Sequence, residues 1–203
     1  MSEHNETKRP YHHGSLKQVI FDTALNMLGE NKGWQFTLRE VARRAEVSHA
    51  APYKHFPDKS SLLAELALIG FDQLHDELMK ALKLEDMTPT DRFFVTAKTY
   101  INFGITKPSL YKLMFSAEAN EGANKIHLND RAMSALKVLL QVLESGQKQK
   151  VFKQANLNDQ TAACWAQVHG LTMLSIDGLL YEEKVGRNAI DGALKTLLNG
   201  LEV

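Results

Sequence analysis

Residues 37–59 concentrate side chains that can donate hydrogen bonds to a polyanion. Hydroxyl, guanidinium, imidazole, phenol and ammonium groups recur there at short spacing, on Thr37, Arg39, Ser48, His49, Tyr53, Lys54, His55 and Lys59. His49 and Lys54 can donate to base edges or to phosphates, whereas Tyr53 and His55 are suited to hold phosphates. Together these donors predict contact with a DNA double helix.

Further cations extend this surface. Lys59 opens a predicted long helix, so its ammonium group and the exposed N–H groups of that helix end both favour a phosphate. Arg39 is expected to point outward and to reach a base or a phosphate. Lys8, Arg9 and residues 11–13 form a flexible basic arm, which we expect to lie along the DNA backbone or in a minor groove.

The sequence lacks the motifs of the common catalytic classes. It contains no G-x-S-x-G, no Walker-type glycine loop, no H-E-x-x-H and no C-x-x-C. Cys164, the single cysteine, has no general base placed beside it, and His12-His13 lies in a tail too flexible to hold a metal. We therefore expect a protein that is not an enzyme and that has no cofactor and no metal site.

The composition is typical of a soluble cytoplasmic protein. Of the 203 residues 44% are hydrophobic, and the formal net charge is zero. Between Lys8 and Lys59, however, nine Lys/Arg face five Asp/Glu, so the excess of base lies at the N-terminal end. The polar start lacks the apolar region of a secretory signal, and no long apolar run predicts a membrane span. We expect a cytoplasmic protein, associated with the nucleoid and without a membrane partner.

The elements that must position these groups are helices. Apolar residues recur at helical spacing and alternating strand patterns are nearly absent, which predicts an all-α protein of about nine helices. The expected helices span about 16–28, 38–45, 49–56, 59–84, 88–106, 108–117, 125–148, 158–181 and 187–201. We predict three segments from this pattern: a basic arm at 1–14, a DNA-binding domain at 15–60, and a regulatory and dimerisation domain at 61–203.

The predicted helices at 38–45 and 49–56 form a helix-turn-helix pattern. Thr37 and Glu40 make a capping box, in which each side chain can accept a hydrogen bond from the backbone N–H of the other residue. Ser48 can cap the second helix, whose N-terminal end would enter the major groove. There Ala50 and Ala51 are small enough to touch thymine methyl groups.

These residues carry a family resemblance over about residues 12–65. The pattern resembles the N-terminal signature of the TetR family of regulators: Thr37-x-Arg39-Glu40-Val41-Ala42-x-x-Ala45-x-Val47-Ser48, then Tyr53-x-His55-Phe56-x-x-Lys59. The resemblance implies a three-helix DNA-binding domain, a helical ligand-binding and dimerisation domain, and repression relieved by a small molecule. Two residues depart from the usual pattern. Glu46 replaces a common glycine, which predicts a left-handed backbone there, and Pro52 removes a backbone donor from the recognition helix.

A second resemblance lies near the C-terminus. Trp165-x-x-x-His169-Gly170 resembles the Trp-His-Gly type of TetR C-terminal domain. In such regulators the last two long helices of each subunit form a four-helix dimer interface, which the resemblance assigns to about 161–181 and 188–201. A twofold dimer presents its two recognition helices to half-sites roughly 34 Å apart, so the expected operator is palindromic.

A ligand pocket is expected among the middle helices. Aromatic side chains cluster on two successive helices there and could line an apolar, adaptable cavity. Core packing is the simpler interpretation for each side chain alone, and for His169 a core histidine with satisfied hydrogen bonds is favoured over a ligand contact. The predicted lining comprises Phe94, Tyr100, Phe103, Met114, Phe115, Leu136, Trp165, His169 and Met173.

The sequence therefore predicts a sequence-specific DNA-binding transcriptional regulator, a repressor released by a small apolar or aromatic ligand. Two other functions fit the sequence: an architectural DNA-binding protein without an inducer, and a helical ligand-binding scaffold. The intact Tyr53-x-His55-Phe56-x-x-Lys59 pattern argues against a scaffold that has lost DNA binding. A ligand-responsive operator would distinguish the regulator from the architectural protein.

Overall fold

The computed structural model describes residues 16–83, 86–121, 126 and 129–203, which form an all-α structure. This confirms the predicted fold class, and the β-type pairing within the described residues is an isolated antiparallel bridge between Phe152 and Glu202. A π-helical turn, Leu28–Lys32, follows the first helix, and a 3-10 turn, Pro52–Lys54, precedes the third. The α-helices are α1 Leu16–Met27, α2 Leu38–Arg44, α3 Lys59–Ala81, α4 Pro89–Thr106, α5 Pro108–Met114, α6 Asp130–Lys148, α7 Leu157–Ile176, α8 Glu182–Val185 and α9 Ala189–Leu201.

The helix-turn-helix is built by α1, α2 and the turn that precedes α3, around a small apolar core. Ile20, Val41 and Ala42 are fully buried in it. The ring of Phe56 meets that of Phe21 edge-on, with centroids 5.1 Å apart. Edge-to-face aromatic pairs of this kind stabilise a core beyond the area that they bury, so these two rings fasten the turn to α1.

Local hydrogen bonds fix both ends of α2. At its start the predicted capping box is present, because the Glu40 N–H donates to Thr37 Oγ1 at 3.2 Å and the Thr37 N–H donates to the Glu40 carboxylate at 2.6 Å. At its end Glu46 has the predicted left-handed backbone, with φ of 55°. The Val47 N–H closes the helix by donating to the Ala42 carbonyl at 3.0 Å, as in helices that end at glycine. A non-glycine residue in this conformation costs roughly 1 kcal/mol.

The predicted helix over 49–56 is wrong in its extent. Residues 49–51 form turns, and the helical part is the 3-10 turn of Pro52–Lys54. Pro52 has no N–H to donate to the Ser48 carbonyl, so an α-helix beginning at residue 49 would lose its first backbone bond. The Ser48 carbonyl accepts instead from Ala51, and the Pro52 carbonyl accepts from Phe56, each at 2.9 Å.

The helical body is organised around α3, which packs against α4, α5 and α6. α7 packs against α4 and α6, and α9 lies against α4 and α7. α4 and α7 approach closely at Gly104, where an added Cβ would lie 2.2 Å from Thr172 Cγ2. Within the described residues, we find no helix whose length and hydrophobicity would suffice to cross a membrane.

Asparagine caps, rather than the predicted residues, set the starts of two helices in the body. α7 begins at Leu157, because Asn156 Oδ1 accepts from the N–H groups of Asn158 and Asp159 at 2.9 and 3.3 Å. The predicted start at about 158 therefore lies inside the first turn. α6 begins after its cap Asn129, and the predicted start at 125 lies outside the described residues.

The end of α7 also differs from the predicted limit at 181. Gly178 has a left-handed backbone, with φ of 65°. Its N–H donates to the Ser175 carbonyl at 3.1 Å, and the Leu179 N–H donates to the Leu174 carbonyl at 2.8 Å. These two bonds are typical of a helix that ends at a glycine. The short helix α8, which the sequence pattern does not predict, follows in the chain.

Candidate nucleic-acid interface and ligand cavity

Most of the predicted DNA contacts lie on the surface of the helix-turn-helix. Tyr53 is 49% exposed, and the other exposed members are Thr37, Arg39, Ser48, His49, Ala50, Lys54 and His55. They occupy the start of α2 and the segment between α2 and α3. Pro52 and Phe56 are buried beneath this segment, so apolar contacts hold the exposed donors in place.

Ala51 was predicted to be an exposed DNA contact, but the structure buries it. Its side chain is 4% exposed and belongs to the apolar core. The turn explains this, because the Ala51 N–H donates back to the Ser48 carbonyl at 2.9 Å and the residue lies beside the buried Pro52. Ala50 is the alanine of this pair that remains exposed.

Two side chains of α2 and its cap are engaged inside the helix-turn-helix. The Thr37 hydroxyl donates to the Glu40 carboxylate at 2.9 Å, so this proton is already used. Arg44 makes a bidentate ion pair with Glu30 of the π-helical turn. The predicted basic arm, which includes Lys8, Arg9 and residues 11–13, lies outside the described residues.

Lys59 is half-buried at the first position of α3. Its Nζ lies 5.8 Å from the centroid of the Phe36 ring. Asp58 caps the same helix end, accepting from the Ser61 N–H at 2.7 Å, and the hydrogen bonds from Ser61 hold the pKa of this carboxylate below its ordinary value of 3.8. The cap therefore already uses one of the N–H groups that the sequence predicts to favour a phosphate.

An apolar cavity of about 210 Å³ lies in the body between α3, α4, α6 and α7, with the residue after α5 at its edge. Four of the predicted lining residues border it, namely Tyr100, Phe115, Leu136 and Trp165. Tyr100, Leu136 and Trp165 come from three different helices and Phe115 directly follows α5, so the cavity depends on how the helices cross.

Five predicted lining residues lie elsewhere. Phe94 is half-buried on α4, and Lys98 Nζ lies 5.2 Å from the centroid of its ring. Phe103 and Met114 are fully buried in the packing of α4 and α5. Met173 lies about two turns beyond Trp165 on α7, and His169 faces a polar cluster behind the cavity wall. Apart from Met173, each lies within three residues of a lining residue, so the direction of its side chain rather than its place along the chain keeps it out of the lining.

Sequence reasoning missed the wall supplied by α3 and, apart from Leu136, the wall supplied by α6. Leu74 and Leu78 stand four residues apart, the spacing of an apolar helix stripe. Such a stripe shows that a helix has a buried face, but which of its residues border a void depends on the neighbouring helices. The missed lining residues are Phe71, Leu74, Leu78, Thr96, Ala97, Ala132, Met133, Ala135, Leu139 and Val168.

Four polar side chains form one hydrogen-bonded cluster beside the cavity. The Tyr111 hydroxyl lies 2.6 Å from His169 Nδ1 and 3.0 Å from the Tyr100 hydroxyl. Trp165 Nε1 donates to the Tyr100 hydroxyl at 3.3 Å, and the His169 and Tyr111 rings stack with centroids 5.6 Å apart. This geometry fits the interpretation of His169 as a core histidine with a hydrogen-bond partner.

Burial keeps this cluster uncharged at neutral pH. Desolvation raises the pKa of Tyr100 to about 12 and also raises the pKa of Tyr111. Desolvation lowers the pKa of His169 from its ordinary value of 6.5. Burial likewise raises the pKa of the Cys164 thiol to about 11. Within the described residues, no group of three or more His, Cys, Asp and Glu side chains is placed to hold a metal ion.

Small residues occupy the outer faces of α7 and α9. Ala162 and Ala166 are exposed on α7, and Gly192 and Gly200 are exposed on α9. At Gly170, Gly192 and Gly200, no described atom lies within 4 Å of an added Cβ. Packing within the chain therefore does not require glycine at these positions, and another helix could approach closely.

Solved structures share this fold over nearly the whole chain. A protein of unknown function from Rhodococcus sp. RHA1 is 27% identical, with a TM-score of 0.81 over 97% of this chain and 100% of that chain. The TetR family transcriptional regulator PfmR from Thermus thermophilus is 20% identical, with a TM-score of 0.66 over 91% and 99% of the two chains. The transcriptional regulator FadR from Bacillus subtilis, in complex with stearoyl-CoA, is 16% identical, with a TM-score of 0.70 over 91% and 98%. A comparison with curated proteins finds no match.

Two family models match the chain, and they cover the helix-turn-helix and the helical body in turn. Residues 20–66 match the bacterial regulatory proteins of the tetR family. Residues 93–197, more than half of the chain, match the tetracyclin repressor-like C-terminal domain. These matches confirm the resemblance that the sequence motifs indicate. The chain therefore belongs to the tetR family of bacterial regulatory proteins, which are DNA-binding transcriptional regulators.

Proposed function

We propose that the protein is a repressor that binds a palindromic operator as a homodimer and leaves it when a small apolar or aromatic molecule binds in the body. The main support is that one chain combines an exposed donor surface on its helix-turn-helix with an apolar cavity between α3, α4, α6 and α7. The cavity favours a ligand-responsive regulator over an architectural DNA-binding protein, and the exposed donors favour either over a scaffold.

The proposed DNA contacts divide into two groups. His49, Ala50 and Lys54 lie at the exposed front of the turn and would read base edges. Tyr53 and His55 would hold phosphates and set the register of the protein on DNA. Arg39, Lys59 and the hydroxyl groups of Thr37 and Ser48 complete the proposed surface.

The proposed dimer uses α7 and α9, at about residues 161–181 and 188–201. The open glycines Gly170, Gly192 and Gly200 support this choice, because small residues allow two helices to approach closely. A twofold axis through this interface would present two helix-turn-helix units to half-sites about 34 Å apart. Recognition of a palindrome would therefore depend on the dimer that α7 and α9 form.

Release by a ligand requires a difference in affinity between two states. The ligand must prefer a conformation in which the two helix-turn-helix units are wrongly spaced for the operator. FadR from Bacillus subtilis, which has this fold, was solved in complex with stearoyl-CoA, and this supports ligand binding in a body of this architecture. Such a regulator would act in the cytoplasm on the nucleoid, with residues 15–60 reading DNA and residues 61–203 sensing the ligand.

Selection from a random pool of duplexes by the purified full chain tests the DNA-binding part. We expect a palindromic consensus, and we expect the double variant Tyr53→Ala, Lys54→Ala to lose it. Lys80→Gln, at the far end of α3, is the matched control and should select the same consensus. Salt-sensitive retention without a consensus would instead indicate an architectural protein, and no retention would indicate a scaffold.

A further inference from the structure

The cavity between α3, α4, α6 and α7 offers few polar atoms to a ligand. Of the described side chains that line it, Thr96, Tyr100 and Trp165 carry a nitrogen or oxygen atom, and none carries a charge. An ion would lose its hydration there without meeting an opposite charge, which is costly in an apolar environment. The lining therefore favours a neutral ligand.

Two of the three polar side chains already donate their protons. Thr96 Oγ1 donates to the Arg92 carbonyl at 2.7 Å. Trp165 Nε1 donates to the Tyr100 hydroxyl at 3.3 Å. The donor that remains for a ligand is the hydroxyl proton of Tyr100.

The hydrogen bonds of the cluster beside the cavity leave the Tyr100 hydroxyl able to donate a hydrogen bond to a ligand. Tyr111 lies between Tyr100, at 3.0 Å, and His169 Nδ1, at 2.6 Å. If Nδ1 carries the histidine proton, Tyr111 accepts it and donates to Tyr100, whose own proton then has no acceptor among the described residues. If Nε2 carries the proton, Tyr111 donates to Nδ1, and the Tyr100 proton can turn towards Tyr111, towards Nδ1 at 3.4 Å or towards a ligand.

In both tautomers a ligand that accepts from Tyr100 therefore gives the Tyr100 hydroxyl proton a partner. Burial supports this role as a donor, since it raises the pKa of Tyr100 to about 12 and keeps the phenol protonated at neutral pH. Burial also lowers the pKa of His169, so the cluster adds no positive charge that could hold an anion.

We infer that Tyr100 is the specificity-determining hydrogen-bond donor of the cavity. The ligand is a neutral molecule with an apolar body and one acceptor oxygen, such as a ketone or an ester. A dry cavity of about 150 Å³ accommodates benzene, so the volume of about 210 Å³ fits one ring with a short substituent. This inference rests on the proposed ligand-responsive function and names the chemical class of the ligand.

Three probes of equal size test the inference. Acetophenone, isopropylbenzene and benzoate share a phenyl ring and the same number of non-hydrogen atoms, but they present a ketone, a branched alkyl group and a carboxylate. Calorimetry would give the Kd of each probe for the wild-type full chain and for Tyr100→Phe. Thr96→Val removes the other hydroxyl of the lining and serves as the matched control.

We expect acetophenone and isopropylbenzene to bind the wild-type chain, and benzoate to bind at least about tenfold more weakly than acetophenone. The Kd of isopropylbenzene divided by that of acetophenone should fall about fivefold in Tyr100→Phe and stay unchanged in Thr96→Val. The change in this ratio between two chains cancels the difference in hydrophobicity of the probes and any effect of the substitution that both probes share.

Three results would overturn the inference: an unchanged ratio in Tyr100→Phe, tighter binding of benzoate than of acetophenone, or no binding of any probe. The proposed function is read separately, by titrating the selected operator with the chain in the presence and absence of acetophenone. Unchanged operator affinity in a chain that binds acetophenone through Tyr100 would refute ligand-induced release and leave the role of Tyr100 intact.

Discussion

The helix-turn-helix and the helical body hold their candidate functional groups in opposite ways. In the helix-turn-helix, exposed donors crowd into residues 48–55, and local bonds around Thr37 and Glu46 fix the backbone that carries them. In the body, the candidate site is a cavity, and the side chains that border it are spread from Phe71 to Val168 along the chain. One site is a surface specified locally, and the other is a space specified by helix packing.

This difference determines how far folding and function can be separated. An exposed side chain such as His49 can change without the loss of a buried contact. Tyr100, in contrast, borders the cavity and also holds the polar cluster with Tyr111 and Trp165. We therefore expect substitutions in the helix-turn-helix to separate stability from DNA binding, and substitutions in the body to change stability and ligand response together.

The largest effect should come from Phe56→Ala, which contrasts core and surface within one turn. Phe56 is 2% exposed and packs edge-on against Phe21. Its loss should lower the free energy of unfolding by about 3 to 5 kcal/mol. Tyr53→Ala, three residues earlier and 49% exposed, should change it by less than about 0.5 kcal/mol while weakening DNA binding.

Urea unfolding and operator titration of both variants measure this contrast. Equal destabilisation by Tyr53→Ala and Phe56→Ala would mean that the exposed donors also support the fold. The separation of stability from DNA binding would then be wrong for this turn.

A smaller effect is expected from Gly104→Ala, at the crossing of α4 and α7. An added Cβ would lie 2.2 Å from Thr172 Cγ2 and 3.2 Å from Tyr111 Cδ2, so the Thr172 side chain or the two helices must shift. We expect a loss of about 1 to 3 kcal/mol in the free energy of unfolding. Chemical unfolding of the single and double variants measures it.

Thr172→Ala supplies the control, because it removes the methyl group that the new side chain would meet. The double variant Gly104→Ala, Thr172→Ala should lose less stability than the sum of the two single variants. Strict additivity would show that α4 and α7 do not depend on this close contact.

The helix-turn-helix could be predicted from the sequence in detail, because its signals act over short distances. The capping box of Thr37 and Glu40 and the left-handed Glu46 involve residues at most five apart, so their spacing alone predicts them. The errors there also have local causes. Pro52 shortens the helix expected over 49–56, and the same turn buries Ala51.

The cavity could be predicted only in part, because its shape depends on the crossings of four helices. Aromatic clustering identified Tyr100 and Phe115, but it gave equal weight to Phe103, which packing buries completely. The wall from α3 and, apart from Leu136, the wall from α6 were missed, since an apolar stripe looks the same whether it meets another helix or a void. The predicted start of α7 at about 158 is late because Asn156, two residues earlier, caps the helix.

An effect of about 1 kcal/mol should follow from Lys59→Gln, which tests whether the proposed surface extends to α3. Loss of one phosphate contact should weaken DNA binding about three- to tenfold at moderate salt and reduce the salt slope of the affinity by about 1. Lys80→Gln lies at the other end of the same helix, about 30 Å away, and should leave both quantities unchanged. An unaltered salt slope in Lys59→Gln would remove α3 from the interface.

The smallest effect should be the pH dependence that His169 gives to the body. Desolvation lowers the pKa of His169 in the folded chain below its ordinary value of 6.5. The unfolded chain therefore binds a proton first as the pH falls, so the stability is complete above pH 6.5 and is lost progressively below it. Urea unfolding at pH 7.5 and pH 5.5 should show a lower free energy at the lower pH, and His169→Gln should reduce this difference.

His55→Gln replaces an exposed histidine of the helix-turn-helix and should keep the wild-type pH dependence. The pair thus tests whether burial in the body, rather than the number of histidines, sets the response to acid. The interpretation requires the partners of His169 to be polar but uncharged, as Tyr100 and Tyr111 are. If His169→Gln retained the full pH dependence, the cluster could not be the source of it, and acid sensitivity would have to arise outside the polar cluster.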